Sequence, residues 1–339
     1  MKHQPQGNLH LERRRLAQID RFLTQSDKFI SSEDLKIAFL LPGLTSLAWG
    51  MSRRQWIPLA HKISQYRVQA VLPNISRRAG IIDRFLGTGA DPSFEIQRQS
   101  AVETVIAMLE VLRLHRPWAS LPSIGIEGAE GLAEAQRQGR PVVCWCAATV
   151  HNGLISKIAF AQMGLSVAYI GREGHGFSPT RFGRTVLNPI VQRVENRFLK
   201  ERVFINLKAP AGATLKLLRE LKRGGTVGVS MASSRHRGAS APVRVPFHNG
   251  HLEIAPGAAS LAAKSDAALF PIMALREGLR YRVIVGPELT PRRPGIRPLV
   301  RDFAEWNAGF AKAHPAQWSG WFSKTPRRAA ARPGADQGQ

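Results

Sequence analysis

The sequence predicts an α/β protein in which a mostly parallel central sheet is flanked by helices and follows an N-terminal helical region. From residue 124 to residue 289, short apolar strand-like segments alternate with helix-like segments. Such alternation is typical of a parallel sheet with helices on both faces. The chain has 339 residues and 44% hydrophobic content, which is enough to bury a sizeable core.

The N-terminal part divides into a polar, basic segment at 1–30 and a helical region at 31–120. Turn-forming residues predict breaks in the helical region near Pro73 and between Gly87 and Pro92.

The longest apolar stretch, residues 37–51, lies inside this helical region and contains Pro42 and Gly43. It is shorter than the ~20 residues that a membrane-spanning helix needs. Two interpretations remain open. The stretch is either a buried pair of helices or an interfacial membrane segment anchored by Trp49 and Trp56.

Residues 121–327 are predicted to form the α/β domain, and 328–339 a disordered tail. The domain begins with a short strand and a helix within 123–141. The later predicted strands cover residues 141–147, 166–172, 202–207, 226–232, 268–275 and, as an edge strand, 280–289; the helices cover 153–164, 188–201, 211–225 and 256–267.

The net charge is strongly positive: the chain has 48 Lys and Arg residues and 24 Asp and Glu residues, which gives +24 at pH 7. Such a surface favours polyanions, either nucleic acid or an anionic membrane. Nucleic-acid binding is disfavoured because aromatic content is only 7% and no known recognition motif is present. The two cysteines, Cys144 and Cys146, are predicted to be buried thiols on one strand face, and no metal site is predicted.

A single histidine, His151, follows the apolar strand at 141–147 and precedes a helix. Catalytic residues of parallel sheets lie in loops at the carboxyl ends of the strands. His151 is therefore a candidate general base, unless it is only a buried or helix-capping histidine. A long loop at 233–250 is predicted to lie at the same edge of the sheet.

Several segments resemble segments of the lipid A late acyltransferases (lauroyl/myristoyl type) of the lysophospholipid acyltransferase superfamily, and they follow one another along the chain in the same order as in that family. The resemblance runs from about Leu40 to Arg328. Its parts are "IEGAEGLAEAQRQGRPVV", the region from "GGTVGVSMASSRHRG" through "VPFHNG" to "ALFPIMAL", and "HPAQWSGWFSKTPRR".

The resemblance implies a catalytic His-x4-Asp/Glu motif, in which the acid fixes the histidine tautomer. His151 matches the histidine, but Ser156 stands at the acid position. A competing alignment, shifted by three residues, puts Ala148 at the histidine position and Gly153 at the acid position. Ser156 itself or Glu173, from the loop after the next strand, is expected to orient the ring. Arg172, Arg235 and Arg237 are expected to bind anionic groups of the acceptor; for each arginine alone, solvated surface charge is the simpler interpretation.

The implied function is acyl transfer from an acyl-carrier-protein or CoA thioester to a hydroxyl of an anionic lipid or glycolipid, with no bound cofactor. The expected location is the cytoplasmic face of the bacterial inner membrane, peripheral or shallowly inserted. The alternatives are a catalytically inactive acyltransferase-like binding protein and, less favoured, a basic nucleic-acid-binding protein.

Overall fold

A computed structural model describes residues 28–70, 72–172, 175–205, 210–231, 241–290 and 295–323. It confirms the predicted α/β class: within these residues a seven-stranded, mostly parallel sheet is flanked by ten α-helices. The helices are α1 Ser32–Gly50, α2 Arg53–Ala70, α3 Leu72–Leu86, α4 Ala90–Arg113, α5 Glu130–Arg137, α6 Ile155–Gln162, α7 Asn188–Asn196, α8 Pro210–Lys222, α9 Gly257–Ser265 and α10 Ile296–Ala313.

The strands of the main sheet lie in the order β1-β9-β8-β2-β5-β3-β4, and neighbours are parallel except for the β8–β9 pair. The carboxyl ends of β8, β2, β5, β3 and β4 therefore share one edge, and β9 begins at that edge. The strands are β1 Ile124–Glu127, β2 Val142–Cys146, β3 Val167–Arg172, β4 Glu201–Ile205, β5 Thr226–Ser230, β8 Ala268–Glu277 and β9 Arg280–Val285.

Three local predictions were wrong. Strand β9 is not at the edge, because β1 pairs with it in parallel and Arg282 lies between Glu127 of β1 and Glu277 of β8. Part of the long loop at 233–250 belongs to a two-stranded hairpin, β6 Val243–Phe247 and β7 Gly250–Ile254. The third error was helix α10, which the sequence analysis did not predict.

Residues 37–50 of the apolar stretch belong to one continuous helix, α1, and Met51 follows its end, so the proposed helix pair is wrong. Pro42 is tolerated inside the helix; the hydroxyl of Ser46 donates to its carbonyl oxygen at 3.1 Å. Leu41 is buried, whereas Phe39 is 86% exposed and Leu40 is half exposed. Trp56, expected at a membrane surface, is instead buried.

Both faces of the sheet are covered by apolar cores. On one face Trp145 of β2 stacks on Phe303 of α10 with ring centroids 3.8 Å apart. On the other face lie Cys144 and Cys146, both free and buried, and burial raises the pKa of each thiol. The domain boundaries at 30, 120 and 327 stay a prediction, and the tail at 328–339 lies outside the described residues.

Candidate active site

His151 lies at the carboxyl edge of the sheet, in the turn between β2 and α6. Its carbonyl oxygen accepts the N–H of Ile155 at 3.0 Å and so begins the helix. The hydroxyl of Thr149 donates to the carbonyl of Ala274 in β8, and the N–H of Val150 donates to the carbonyl of Gln317 at 2.9 Å. The backbone on both sides of His151 is thereby held, and its side chain is almost wholly buried.

The imidazole of His151 contacts a carboxylate from a distant helix. Its Nε2 lies 2.8 Å from Oε2 of Glu103 in α4. The guanidinium of Arg276, at the end of β8, donates to both oxygens of the same carboxylate at 2.7 and 2.6 Å. Burial alone would raise the pKa of Glu103, but hydrogen bonds from His151 and Arg276 lower it to about 2.

The bidentate pairing of Glu103 with Arg276 indicates which ring nitrogen of His151 carries the proton. Glu103 is ionised at neutral pH, and an ionised carboxylate only accepts hydrogen bonds. Nε2 must therefore donate. In the neutral ring the lone pair is then on Nδ1, which is the nitrogen able to accept a proton.

Arg276 is itself held by the segment around Gln317. The side-chain amide of Gln317 donates to the carbonyl of Arg276 and accepts its N–H, both at 2.8 Å. Nη1 of Arg276 donates to the carbonyl of Gly278 at 2.5 Å. The backbone carbonyl of Gln317 also accepts the N–H of Val150. Gln317 therefore links the turn that contains His151 to the end of β8, where Arg276 lies.

A mostly apolar cavity of about 190 Å³ adjoins His151. The ring of Tyr281, from β9, meets the imidazole edge to face with centroids 5.3 Å apart. The cavity is lined by Thr104, Ala107, Met108, Glu110, Val111, Val150, His151, Gly153, Leu154, Ile155, Val191, Glu195 and Tyr281.

A second buried ionic cluster lies on the far wall of this cavity, around Glu195 of α7. Its carboxylate accepts from Lys157 at 2.6 Å, from Arg202 at 2.5 Å and from His175 at 2.9 Å. Lys157 also donates to the carbonyl of Gly153, two residues after His151, at 2.5 Å. Burial would raise the pKa of Glu195, yet Lys157, His175 and Arg202 hold it well below the ordinary range.

The structure does not place Ser156 as the partner of the His151 ring. Its buried hydroxyl donates to the carbonyl of Asn152, as serines in helices often do. Introducing a carboxylate at this fully buried position would cost desolvation energy. We therefore do not expect Ser156→Glu to improve the orientation of the His151 ring.

The other predicted site residues cannot be placed around the ring. Glu173, Arg235 and Arg237 lie outside the described residues. Arg172 ends β3, and its side chain is also outside the described part. Their roles stay predictions. Among the described residues, no group of three His, Cys, Asp or Glu side chains is arranged to hold a metal ion.

Sequence reasoning missed Glu103 and Arg276 because they lie 48 and 125 positions from His151. One signal was present for Glu103: it is an acid between Val102 and Val105, within the apolar face of a predicted helix. A carboxylate on such a face needs a buried partner.

No curated protein matches the chain. The profile of the bacterial lipid A biosynthesis acyltransferases matches residues 95–325, well over half of the chain. The matched region contains Glu103, His151 and Arg276 and extends past Gln317. The chain therefore belongs to the bacterial lipid A biosynthesis acyltransferase family.

Proposed function

We propose that this acyltransferase moves a fatty acyl group from an acyl-carrier-protein or CoA thioester to a hydroxyl of an anionic lipid or glycolipid. The observation that carries the proposal is the buried His151–Glu103 pair beside a mostly apolar cavity. An apolar lining suits a hydrocarbon chain, and a positioned histidine suits removal of a proton from a hydroxyl.

In the proposed mechanism, Nδ1 of His151 accepts the proton of the acceptor hydroxyl as its oxygen attacks the thioester carbonyl. The imidazolium that forms is stabilised by Glu103 through Nε2–H. When the tetrahedral intermediate collapses, the carbon–sulfur bond breaks and His151 returns the proton to the leaving thiolate. Arg276 keeps the carboxylate of Glu103 ionised and fixed in place.

Purified protein given a long-chain acyl thioester and an anionic lipid acceptor is expected to release free thiol only when the acceptor is present. Thiol titration with acyl-CoA and with acylated carrier protein in parallel identifies the donor, and mass spectrometry of the lipid identifies the acylated hydroxyl. Absence of thiol release with both donors, together with retained lipid binding, would instead support the catalytically inactive binding protein.

We further propose that the protein binds the cytoplasmic face of the bacterial inner membrane peripherally, through the N-terminal half of α1. None of the helices in the described residues is long and apolar enough to cross a membrane. The exposed apolar side chains in this half of α1 and just before it suit shallow insertion, and the +24 charge suits anionic lipids. These side chains are Phe29, Ile30, Leu35, Phe39 and Leu40.

A variant carrying both Phe39→Ser and Leu40→Ser is expected to bind vesicles containing phosphatidylglycerol at least about tenfold more weakly. Burying each apolar side chain contributes roughly 1.5–3 kcal/mol, so losing both insertions should be readily measured by co-sedimentation. The matched control is Leu215→Ser, a half-exposed leucine of α8. Equal loss of binding in both variants would argue against insertion through α1.

A further inference from the structure

We propose that Tyr281 is a further catalytic residue, whose phenolic O–H donates a hydrogen bond to the thioester carbonyl oxygen as that oxygen becomes negative. This inference rests on the proposed acyl transfer and adds to it a group that stabilises the oxyanion. Donors aimed at developing negative charge are among the largest contributions to enzymatic rates.

The position of Tyr281 follows from the one antiparallel pair in the main sheet. Strand β9 begins at the edge where β8 ends, and Tyr281 lies directly opposite Arg276 in the register. The side chains of directly opposed residues lie on the same face of a sheet. The pairing therefore brings Tyr281 to His151, and both side chains line the same cavity.

The hydroxyl of Tyr281 is available to a substrate. The residue is only 3% exposed, yet none of the described residues hydrogen-bonds its hydroxyl. A buried tyrosine ordinarily finds such a partner. Since Tyr281 lines the cavity beside His151, its O–H is free to donate to a substrate oxygen there.

Other donors near the cavity are already engaged. The hydroxyl of Thr104 donates to the carbonyl of Ser100, and Nε2 of His151 is engaged with Glu103. Arg276 uses Nε and Nη2 on Glu103 and Nη1 on Gly278. Among the described side chains that line the cavity, Tyr281 is thus the donor that remains for an oxyanion.

The electrostatic surroundings allow this role. Glu110 also lines the cavity and would oppose a nearby oxyanion, but Arg53 pairs with it through Nη2 at 2.6 Å and through Nε at 3.1 Å. Burial, followed by the charge of Glu110, raises the pKa of Tyr281 far above its ordinary value. The phenol therefore keeps its proton at every pH at which the enzyme is assayed.

The acceptor oxygen forms a bond to the carbonyl carbon, its proton passes to Nδ1 of His151, and the carbonyl π electrons move to the oxygen. Tyr281 donates a hydrogen bond to that oxyanion without losing its proton. Collapse restores the carbonyl, breaks the carbon–sulfur bond and transfers the proton from His151 to the thiolate.

The variant Tyr281→Phe keeps the ring and its edge contact with His151 but removes the donor. It is expected to lower kcat for thiol release about a hundredfold, with KM changed only a few-fold, as removal of one oxyanion donor does elsewhere. The acidic limb of its pH–rate profile should keep the wild-type midpoint, because the base is unchanged. The matched control is Tyr169→Phe, which removes the hydroxyl of another buried tyrosine, hydrogen-bonded to Ser230 at 2.7 Å.

Wild-type kcat in a folded Tyr281→Phe variant would overturn this inference and leave the acyl transfer intact, whereas an inactive wild type would refute the proposed function itself. If Tyr281→Phe does not fold, a fluorinated tyrosine at position 281 decides the question. It keeps the donor and nearly the same shape while making the O–H more acidic. An unchanged kcat would refute the oxyanion contact, and a clear change in kcat with an unchanged KM would support it.

Discussion

Glu103→Gln is expected to lower kcat about a thousandfold while leaving KM within a few-fold of the wild type. The reason is the lost charge of the carboxylate. A neutral amide stabilises the imidazolium of His151 less than the ionised carboxylate does. Arg276 donates to both oxygens of Glu103, so in either orientation the NH₂ group of the new side chain faces a donor of Arg276, and the group that orients Nε2 is no longer fixed.

The measurement is steady-state thiol release with a saturating acceptor, accompanied by a circular dichroism spectrum that establishes folding. Ser156→Ala is the matched control, because Ser156 stands at the acid position of the motif but its hydroxyl donates to the carbonyl of Asn152 and not to the ring of His151. It should keep kcat within about threefold. A large loss of kcat in Ser156→Ala, with little loss in Glu103→Gln, would instead identify Ser156 as the orienting group and would contradict the assignment of Glu103.

Glu195→Gln is expected to destabilise the fold by about 3 kcal/mol or more. Lys157 and Arg202 are almost completely buried and share this carboxylate, so its neutralisation leaves two cations without an ionised partner. Leaving buried charges without an ionised partner in this way costs roughly 3–5 kcal/mol. Urea unfolding followed by tryptophan fluorescence should show a lower midpoint with an unchanged slope.

Lys157→Met serves as the comparison, since it removes a cation of similar length from the same cluster. Glu195 keeps Arg202 and His175 as partners in that variant, so we expect a loss of only about 1 kcal/mol. If the two variants lost equal amounts of unfolding free energy, the cost would not come from buried cations left without an ionised partner.

The sequence predicted the parallel part of the sheet because its strands are short apolar runs set between helical patterns. The hairpin at 243–254 escaped prediction because Pro246 and a turn at His248 made its first strand look like a loop. His151 could be found from its place after β2. Glu103, Arg276 and Tyr281 could not, because their proximity depends on where β8 and β9 lie in the sheet and how α4 packs against them.

The double role of Gln317 has a consequence for how the enzyme is made. The groups that meet at His151 come from positions 103, 151 and 276, and a residue at position 317 holds two of their segments together. The chain must therefore be synthesised past residue 317 before Gln317 can join the turn that contains His151 to the end of β8. Any fragment that ends before residue 317 lacks the tie between those two segments.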